Sequence, residues 1–569
     1  MRPSVIHAVI IVFFLLLGLG AFSLQIAQGS KLKDLSDKNS VRLSQQMGAR
    51  GRIMDCKGKV IVDSYLSYDL MLTPQKGQEF NDTMERISRV LGVSREELIA
   101  NYKRNFIANS LPVNIFMNIP VRQAIALEEL KSDYNGIVVD PHPLRNYPLG
   151  SLASHVVGYL NEIDLWRLTK LEDYGYKTRD IVGYTGIEER YDYYLRQQVG
   201  GLSMEVDHRG KFVRLLGFKP PGNGKDIQLT LDAGIQKIVE DNLVERNAAV
   251  VLMDPFTGEV IALASSPGFD PSAFMKKSNG GSADFFSNPN SPLLNRAIGG
   301  VFPPASVFKL VVAAAALEMG KINPSTTYNC PGYTNIGKKR FGCWETHGDE
   351  NLTQAIAHSC DVFFYHTGLL VGAQGLHDYA QKFGFGKTTA IDIPYEASGL
   401  VPDPLWKKIY RFQKWFDGDT ANFSIGQGDL LVTPIQVVRM VAVFANNGSL
   451  VSPYIVKAID GRDVSGSKRH LVRIGLKNST LDYIREGLRE VGLPGGTGSL
   501  FSDLPVAVAG KTGTAQVGRG VAHAWFAGYF PCDNPKYAIC VFIEHGGSGT
   551  AACALTKHVI QDMIKQDLL

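Results

Sequence analysis

The sequence predicts an α+β protein with one N-terminal transmembrane helix and two further domains. Three observations support this prediction. A 22-residue apolar run lies near the start, the stretch up to Lys225 mixes helix and strand patterns, and the remainder begins and ends with strand patterns that enclose helices. This last order of elements predicts an antiparallel sheet flanked by helices.

Composition limits the functional classes. The chain has 569 residues, of which 45% are hydrophobic and 20% charged, as in folded chains of more than one domain. The net charge of 59 − 55 = +4 is spread over the whole length and gives no electrostatic footprint for nucleic acid, so no nucleic-acid partner is expected.

The apolar run from Val5 to Ile26 is long enough to cross a bilayer as a helix. Arg2 precedes it, so we expect residues 1–4 to form a short cytoplasmic tail and residues 5–26 to form an uncleaved anchor. A cleavable signal peptide is the alternative, but its apolar region would normally be shorter and end in a small-x-small site. The bulk of the chain is therefore expected outside the cytoplasm.

Residues 27–225 are predicted to form the first of the two domains. Helical patterns cover three segments, which are Asn81–Tyr102, Pro120–Leu130 and Ile187–Gln197. The alternating stretch GLSMEVDHRGKFVRLL is typical of a hairpin with Gly210 near its turn, and KPPGNGK (residues 219–225) is the best linker candidate.

Residues 226–569 are predicted to form the second domain. The pattern AAVVLMDPFTGEVIALASS indicates a hairpin, and Ser306–Met319 indicates a helix that Gly320 ends. Three strand patterns follow late in the chain, and a closing helix is expected at Ala554–Gln566. Strands from both ends of this domain should share one sheet.

Ser306 and Lys309 are the first candidates for chemistry. Their spacing of three places both side chains on one face of a helix, one turn apart. A serine hydroxyl becomes a useful nucleophile when a neighbouring base takes its proton, and a neutral lysine can be that base. The alternative is an N-cap serine followed by a surface lysine, and S-x-x-K alone does not exclude it.

Two later motifs could complete such a site. Ser359 could pass a proton and Asp361 could hold a lysine or a substrate amide, although a plain helix cap explains the same residues. In the strand pattern around Lys511-Thr512-Gly513-Thr514, Lys511 could lower the pKa of Lys309 and attract a carboxylate, and Gly513 leaves room for a ligand backbone. The alternative there is an edge strand guarded by a lysine.

The three motifs in this order resemble those of penicillin-recognising serine acyltransferases. Longer segments, among them RNYPLGSLASHVVGYL, FPPASVFK, FSIGQGDLLVTPIQ and GKTGTAQ, resemble class B penicillin-binding proteins of the elongation type over most of the chain. The resemblance implies that residues 27–225 are an elongated pedestal (dimerisation-like) domain and that residues 226–569 are a penicillin-binding transpeptidase domain. Two departures are Asp361, where the wider superfamily usually has Asn, and Ala305, where a glycine often precedes the nucleophile.

The resemblance also implies roles for individual residues. Ser306 would be acylated, Lys309 would be its base and Ser359 would relay protons. Lys511, Thr512 and Thr514 would bind the substrate carboxylate and shape the cleft. Backbone N–H groups of Ser306 and Thr514 would form the oxyanion hole.

Four residues form a candidate metal site, although the chemistry itself requires no cofactor. Cys330, Cys343, His347 and Cys360 are separated by 13, 4 and 13 residues, and three thiols with one imidazole match a closed structural zinc site. No CxxC pair is present. A disulfide with a spare thiol, or ordinary buried thiols, are the alternatives.

Together these inferences describe a single-pass protein of the bacterial inner membrane whose bulk lies in the periplasm. It would crosslink peptidoglycan stem peptides that end in D-Ala-D-Ala during cell-wall elongation, and β-lactams would acylate the same serine. By family analogy its partners are a SEDS-type glycan polymerase and other membrane proteins of the elongation complex. A D,D-carboxypeptidase, a β-lactamase and a non-catalytic wall-synthesis scaffold remain as alternatives.

Overall fold

The computed structural model describes residues 3–33, 41–75, 77–106, 112–134, 136–206, 212–275, 283–518 and 520–569. The chain divides into two compact units. The first contains residues 1–51, 64–144 and 196–224, and the second contains residues 52–63, 145–195 and 225–569. The first unit ends at residue 224, next to the predicted boundary between residues 225 and 226. Residues 52–63 and 145–195, which the prediction placed in the first domain, belong to the second unit. The predicted domain limits themselves stay a prediction.

The helices are, in chain order, α1 Pro3–Phe22, α2 Gln78–Leu91, α3 Arg95–Asn105, α4 Val121–Glu129, α5 Ser154–Val157, α6 Leu165–Leu171, α7 Gly186–Arg190, α8 Asp192–Leu195, α9 Ala233–Asp241, α10 Ala283–Ser287, α11 Lys309–Glu318, α12 Leu352–Ala357, α13 Asp361–Lys382, α14 Pro404–Tyr410, α15 Asp417–Ser424, α16 Pro434–Ala445, α17 Asn478–Val491 and α18 Gly549–Lys565.

The strands are β1 Val41–Gln46, β2 Ile53–Met54, β3 Val60–Leu72, β4 Val113–Ile119, β5 Ile137–Asn146, β6 Leu160–Glu162, β7 Ile181–Gly183, β8 Gly200–Val206, β9 Phe212–Lys219, β10 Ile227–Leu229, β11 Ala248–Met253, β12 Val260–Ser266, β13 Tyr328–Cys330, β14 Tyr333–Ile336, β15 Lys339–Gly342, β16 Gly348–Glu350, β17 Ser449–Val451, β18 Val456–Ile459, β19 Arg462–Asp463, β20 Leu471–Arg473, β21 Ala509–Ala515, β22 His523–Phe530 and β23 Tyr537–Ile543.

The N-terminal helix has the length and composition of a membrane span. Residues Ile6–Ala27 contain an 18-residue stretch with a mean hydropathy of 2.6, and that stretch is not buried against the rest of the protein. Because a soluble core helix of this composition would be buried, the exposed apolar surface is compatible with a single-pass membrane anchor.

The first unit contains a three-stranded antiparallel sheet in the order β1-β8-β9. Its β8–β9 pair confirms the predicted hairpin, while the predicted turn residue Gly210 lies outside the described residues. The linker candidate, residues 219–225, contains the change of unit after residue 224. It is hydrogen-bonded to the first unit, since Gly222 exchanges two backbone hydrogen bonds with Gln198 and the Asn223 side chain accepts one from the Ala49 N–H.

The single helix predicted over Asn81–Tyr102 is two helices, α2 and α3. Gly92 ends α2 in the left-handed conformation with φ +69°, and the Ser94 hydroxyl caps α3 by accepting a hydrogen bond from the Glu97 N–H. Apolar residues of both helices, among them Ile87 and Leu98, pack in one buried cluster.

The second unit is built on a five-stranded antiparallel sheet in the order β12-β11-β23-β22-β21. The β11–β12 hairpin and the late strands β21, β22 and β23 are as predicted, so strands from both ends of the predicted domain do share one sheet. The closing helix runs over Gly549–Lys565 and packs against one face of this sheet. The pattern predicted as one helix over Ile187–Gln197 is two short helices, α7 and α8.

The other face of the sheet is covered by α16 and by the turn Ala305–Phe308, and α11, which continues from that turn, packs against α13 and α17. Both α11 and α16 are apolar on nearly every side and buried along most of their lengths, as expected for helices enclosed in a core. The α11 helix is therefore a rigid support for the residues at its N-terminal end, and strand β21 is an edge of the sheet beside it.

Candidate active site

The turn that carries Ser306 is a 3₁₀ helix over Ala305–Phe308 that continues directly into α11. Because a 3₁₀ helix has three residues per turn, Ser306 and Lys309 lie on the same side of the chain. Ala305 has φ +51°, a left-handed conformation in which a glycine would be unstrained. The Ala305 N–H donates to the Gly426 carbonyl at 2.9 Å, which holds this strained turn in place.

Lys309 is the centre of the polar contacts. Its side chain is fully buried, and Nζ donates to Ser359 Oγ at 3.2 Å and to the Ser359 carbonyl at 2.8 Å. Nζ also forms an ion pair with Asp361 Oδ1 at 2.7 Å. The fold thus brings the first two sequence motifs together, although they are 50 residues apart.

Ser359 and Asp361 stand at the junction between α12 and α13. Ser359 has φ +57°, which turns the chain between the two helices, and Asp361 is the first residue of α13. A carboxylate in the first turn of a helix is stabilised by the helix dipole and the free N–H groups there. The Asp361 side chain is 18% exposed, so it is accessible from the cleft while it holds the buried lysine.

Lys511 is fully buried in strand β21, where its Nζ donates to the Thr512 carbonyl at 3.2 Å. Burial, followed by the positive charge of Lys309, holds the pKa of Lys511 well below its usual value. The two lysines therefore interact electrostatically, and the third motif lies close to the first two.

Gly513 was expected to leave room for a ligand backbone, but the space beside it is occupied by the nucleophile turn. A Cβ at this position would lie 3.1 Å from Val307 Cγ2 and 3.2 Å from the Pro304 carbonyl oxygen. The glycine therefore lets β21 approach the nucleophile turn, rather than leaving free space for a ligand at that point. The room for a ligand backbone is instead the free edge of β21, which within the described residues pairs only with β22.

The two threonines differ in exposure. The Thr512 hydroxyl is buried and bonded to the Thr497 hydroxyl at 2.9 Å, whereas Thr514 is exposed and its Oγ1 accepts a hydrogen bond from the Gly549 N–H at 3.0 Å. Gln427 Nε2 donates to the Thr514 carbonyl at 3.4 Å.

Gly426 and Gln427 were missed as site residues by the sequence reasoning. A Cβ at Gly426 would lie 2.1 Å from the Ala305 carbonyl oxygen, so this position requires glycine. The closely spaced glycines of the G-Q-G segment, in a stretch already noted for its resemblance, are the signal that could have identified it.

The four residues of the candidate metal site also come together. Their ligand atoms all lie within 4.8 Å of one another, and His347 Nδ1 is 3.5 Å from the Sγ atoms of both Cys330 and Cys343. All seven cysteines are free, so the structure contains no disulfide.

The thiol of Cys343 is in surroundings that favour a thiolate. A hydrogen bond from the Cys360 thiol, together with backbone N–H groups such as that of Asp361, holds the pKa of Cys343 well below its ordinary value. A deprotonated thiol is the form in which cysteine binds a metal.

Comparison with known proteins identifies the family. The model of the penicillin-binding protein transpeptidase domain matches residues 248–564, more than half of the chain, and the model of the penicillin-binding protein dimerisation domain matches residues 45–229. The peptidoglycan D,D-transpeptidase MrdA of Acinetobacter baumannii is 33% identical over 94% of this chain and 83% of its own length.

Solved structures agree with this. A complex between penicillin-binding protein PBP2 and MreC from Helicobacter pylori contains a chain with a TM-score of 0.82 and 30% identity, covering 93% of this chain and 99% of that one. A structure titled as the structural coordination of polymerization and crosslinking by a peptidoglycan synthase complex matches with a TM-score of 0.76 and 30% identity, covering 98% and 97% of the two chains. The geometry of the site agrees with these comparisons, because the buried Lys309 contacts Ser359 and the third motif lies on the adjacent sheet edge. The chain belongs to the class B penicillin-binding proteins of the elongation type, a family of peptidoglycan D,D-transpeptidases.

Proposed function

We propose that this enzyme crosslinks peptidoglycan stem peptides during cell-wall elongation through an acyl-enzyme intermediate on Ser306. The observation that carries the proposal is the position of Lys309 Nζ. It lies within hydrogen-bond distance of both Ser359 and Asp361, one turn after Ser306. This arrangement supplies a nucleophile, a base and an orienting group, as acyl transfer requires.

The first half-reaction would transfer the stem peptide to the enzyme. In the reactive state Lys309 has given up one proton, and its neutral amine still donates a hydrogen bond to Asp361. Ser306 Oγ attacks the carbonyl carbon of the penultimate D-Ala while the proton of its hydroxyl passes to that amine. The tetrahedral intermediate then collapses, the C–N bond breaks, and the departing D-Ala amine takes up the proton. Because Ser359 Oγ is 3.2 Å from Lys309 Nζ, Ser359 can relay that proton to the leaving group.

Substrate binding would use the free edge of β21. A stem peptide could add beside this strand through main-chain hydrogen bonds, with the exposed Thr514 and the buried Lys511 directed to its terminal carboxylate. The lowered pKa of Lys511 shows that its charged form is disfavoured where it is buried. The substrate carboxylate would supply the negative charge that stabilises it. N–H groups of Ser306 and Thr514 would stabilise the oxyanion.

The second half-reaction would release the product. An amine on a neighbouring stem attacks the acyl carbon and its proton passes to Lys309. The ester bond to Ser306 Oγ then breaks as Lys309 returns that proton to the serine oxygen, which restores the hydroxyl and the neutral amine. β-Lactams would acylate Ser306 by the same first step, with opening of the lactam C–N bond, and the acyl group would remain on the serine.

Product analysis with two synthetic peptides tests this proposal. A pentapeptide that ends in D-Ala-D-Ala serves as donor, and a tetrapeptide with a free side-chain amine serves as acceptor. We expect crosslinked dimer and one free D-Ala per dimer, lost in Ser306→Ala and retained in the control Ser398→Ala, which changes an exposed serine. Free D-Ala without dimer would indicate a carboxypeptidase, and rapid hydrolysis of penicillin would indicate a β-lactamase. No product from the native chain would indicate a non-catalytic scaffold.

We also propose that Cys330, Cys343, His347 and Cys360 hold a structural zinc ion. In a tetrahedral site with ordinary zinc–ligand distances, the nitrogen and sulfur atoms are about 3.6 Å apart. The two measured Nδ1–Sγ distances of 3.5 Å fit this value. The ion would fix the loop before Ser359 and take no part in the chemical steps.

Metal analysis tests the zinc proposal. We expect one zinc per chain in protein purified without chelator, lost in Cys343→Ser and kept in Cys532→Ser, a half-buried thiol outside the cluster. A metal-free native protein, or a Cys330–Cys343 disulfide found by mass spectrometry, would contradict the proposal.

Partners and location follow from the same family. We propose a single-pass protein of the inner membrane that works with a SEDS-type polymerase and with a partner like MreC. The first unit offers a surface for such a partner, since exposed Met117 and Val121 accompany a cavity of about 400 Å³ lined by Tyr68, Ala124, Ile125, Glu128 and Glu129. Ile125→Asp should weaken binding to MreC, whereas Val244→Asp in the second unit should not.

A further inference from the structure

A strongly basic surface lies outside the catalytic residues. Two segments form it, the β14–β15 hairpin (Tyr333–Gly342) and Pro404–Phe416, and we call it the basic aromatic surface. These 23 residues contain seven Lys or Arg and no Asp or Glu, whereas the whole chain has a net charge of only +4. Charge of one sign concentrated in this way attracts a ligand of the opposite sign.

Much of this charge is not neutralised by the protein. Lys407 pairs with Asp419 and Arg411 pairs with Asp429, each at 2.6 Å. Five other cations form no ion pair with any described residue. They are Lys338, Lys339, Arg340, Lys408 and Lys414, and all five are exposed.

Aromatic side chains lie among these cations. Phe412 is 89% exposed, Tyr410 69% and Phe416 65%. Phe412 also has φ +55°, an unfavourable conformation for a bulky residue. A residue that is both strained and exposed lowers stability, and such residues are typical of binding surfaces.

The surface is connected to the active-site cleft. A Cβ at Gly418, just after Pro404–Phe416, would lie 3.2 Å from Phe341 Cζ of the hairpin, so the two segments are neighbours. Arg411 is anchored to Asp429, which follows the G-Q-G segment. That segment contacts both the nucleophile turn, through Gly426, and the Thr514 carbonyl, through Gln427.

We propose that the basic aromatic surface binds the acceptor strand of the crosslinking reaction. The carboxylates of its stem peptides would pair with the exposed lysines, and its sugar rings would lie against the exposed aromatic faces. This inference rests on the proposed function and adds a second substrate site to it. Charge complementarity and the connection to the cleft favour a wall strand over an anionic lipid surface, since a lipid would not need to reach Ser306.

Binding of uncrosslinked peptidoglycan strands to the full-length chain in detergent tests the proposal. The measurement uses Ser306→Ala as background, so that no chemistry occurs. The double variant Lys408→Gln/Lys414→Gln should weaken strand binding about 2- to 30-fold at low ionic strength, the range expected for two exposed ion pairs. The matched control Lys321→Gln/Lys536→Gln changes two exposed lysines outside the surface and should bind as the background does.

A second readout identifies the ligand. Strands whose carboxylates have been converted to amides should bind the background as weakly as native strands bind the double variant. Hydrogen exchange at residues 408–414 should slow on addition of native strands. Equal strand affinity in the double variant and its control would overturn the proposal, and so would protection of residues 408–414 by phosphatidylglycerol nanodiscs but not by strands.

The outcome can be separated from that of the proposed function. Failure of the native chain to form crosslinked dimer would count against the proposed function, while strand binding to the Ser306→Ala chain would still be measurable. Normal dimer formation with no effect of the lysine changes on strand binding would count against the acceptor site alone.

Discussion

Gly426→Ala is the substitution whose effect on catalysis follows most directly from the geometry. The new Cβ would lie 2.1 Å from the Ala305 carbonyl oxygen, about 1 Å closer than the shortest contacts that real Cβ atoms make. Because Ala305 precedes the nucleophile, the turn must move by roughly that distance. A displacement of about 1 Å at a catalytic group costs on the order of 100-fold in rate.

A matched control separates this displacement from backbone strain. Gly461 has φ +74°, close to the +71° of Gly426, but a Cβ there would meet nothing within 4 Å. Both alanine variants pay the left-handed penalty of about 1–2 kcal/mol, and only Gly426→Ala disturbs the nucleophile.

The assay is the rate of acylation by a fluorescent penicillin, with the melting temperature measured in parallel. We expect Gly461→Ala to acylate at nearly the native rate and Gly426→Ala to be about 100-fold slower. Equal acylation rates in the two variants would refute the proposed role of Gly426 in positioning Ser306.

Three further predictions concern other parts of the second unit. Asp361→Ala should slow acylation about 10- to 100-fold, because a charge-assisted hydrogen bond to Lys309 is lost. Asp361→Asn should slow acylation less, since its amide oxygen remains an acceptor. Equal decreases in the acylation rate of the two variants would contradict this role of Asp361. Burial lowers the pKa of His155 from 6.5 to about 4, so the unfolded state binds the extra proton and the free energy of unfolding should fall by about 3 kcal/mol as pH drops from 6.5 to 4. His155→Gln should remove this decrease in urea unfolding at pH 7 and 4.5, and parallel pH profiles would refute it. Chelator should lower the melting temperature of the native chain but not of Cys343→Ser, and an unchanged native value would contradict a structural metal.

Local patterns were sufficient to predict much of the second unit. The β11–β12 hairpin, the helix after Ser306 and the late antiparallel strands each follow from residues that are close in sequence. One local error was avoidable. Gly92 followed by Ser94 is a stop signal and a cap within the segment predicted as a single helix.

Long-range pairings could not be predicted in this way. Strand β2 pairs in parallel with β10, with Ile53 opposite Ile227, and no local pattern encodes a partner that far along the chain. For the same reason, the packing of residues 145–195 with the second unit could not be predicted from local patterns. Likewise the motifs identified Ser306 and Lys511 as candidates, but only the fold shows that Gly426 supports the turn that carries Ser306.

The site of covalent modification by benzylpenicillin tests most directly whether Ser306 is the nucleophile. The full-length protein would be incubated with the drug, digested, and mapped by mass spectrometry. We expect a single adduct, of the mass of intact penicillin, on the peptide that contains Ser306, and none in Ser306→Ala. An adduct on any other residue, or a native chain that remains unmodified, would contradict this expectation.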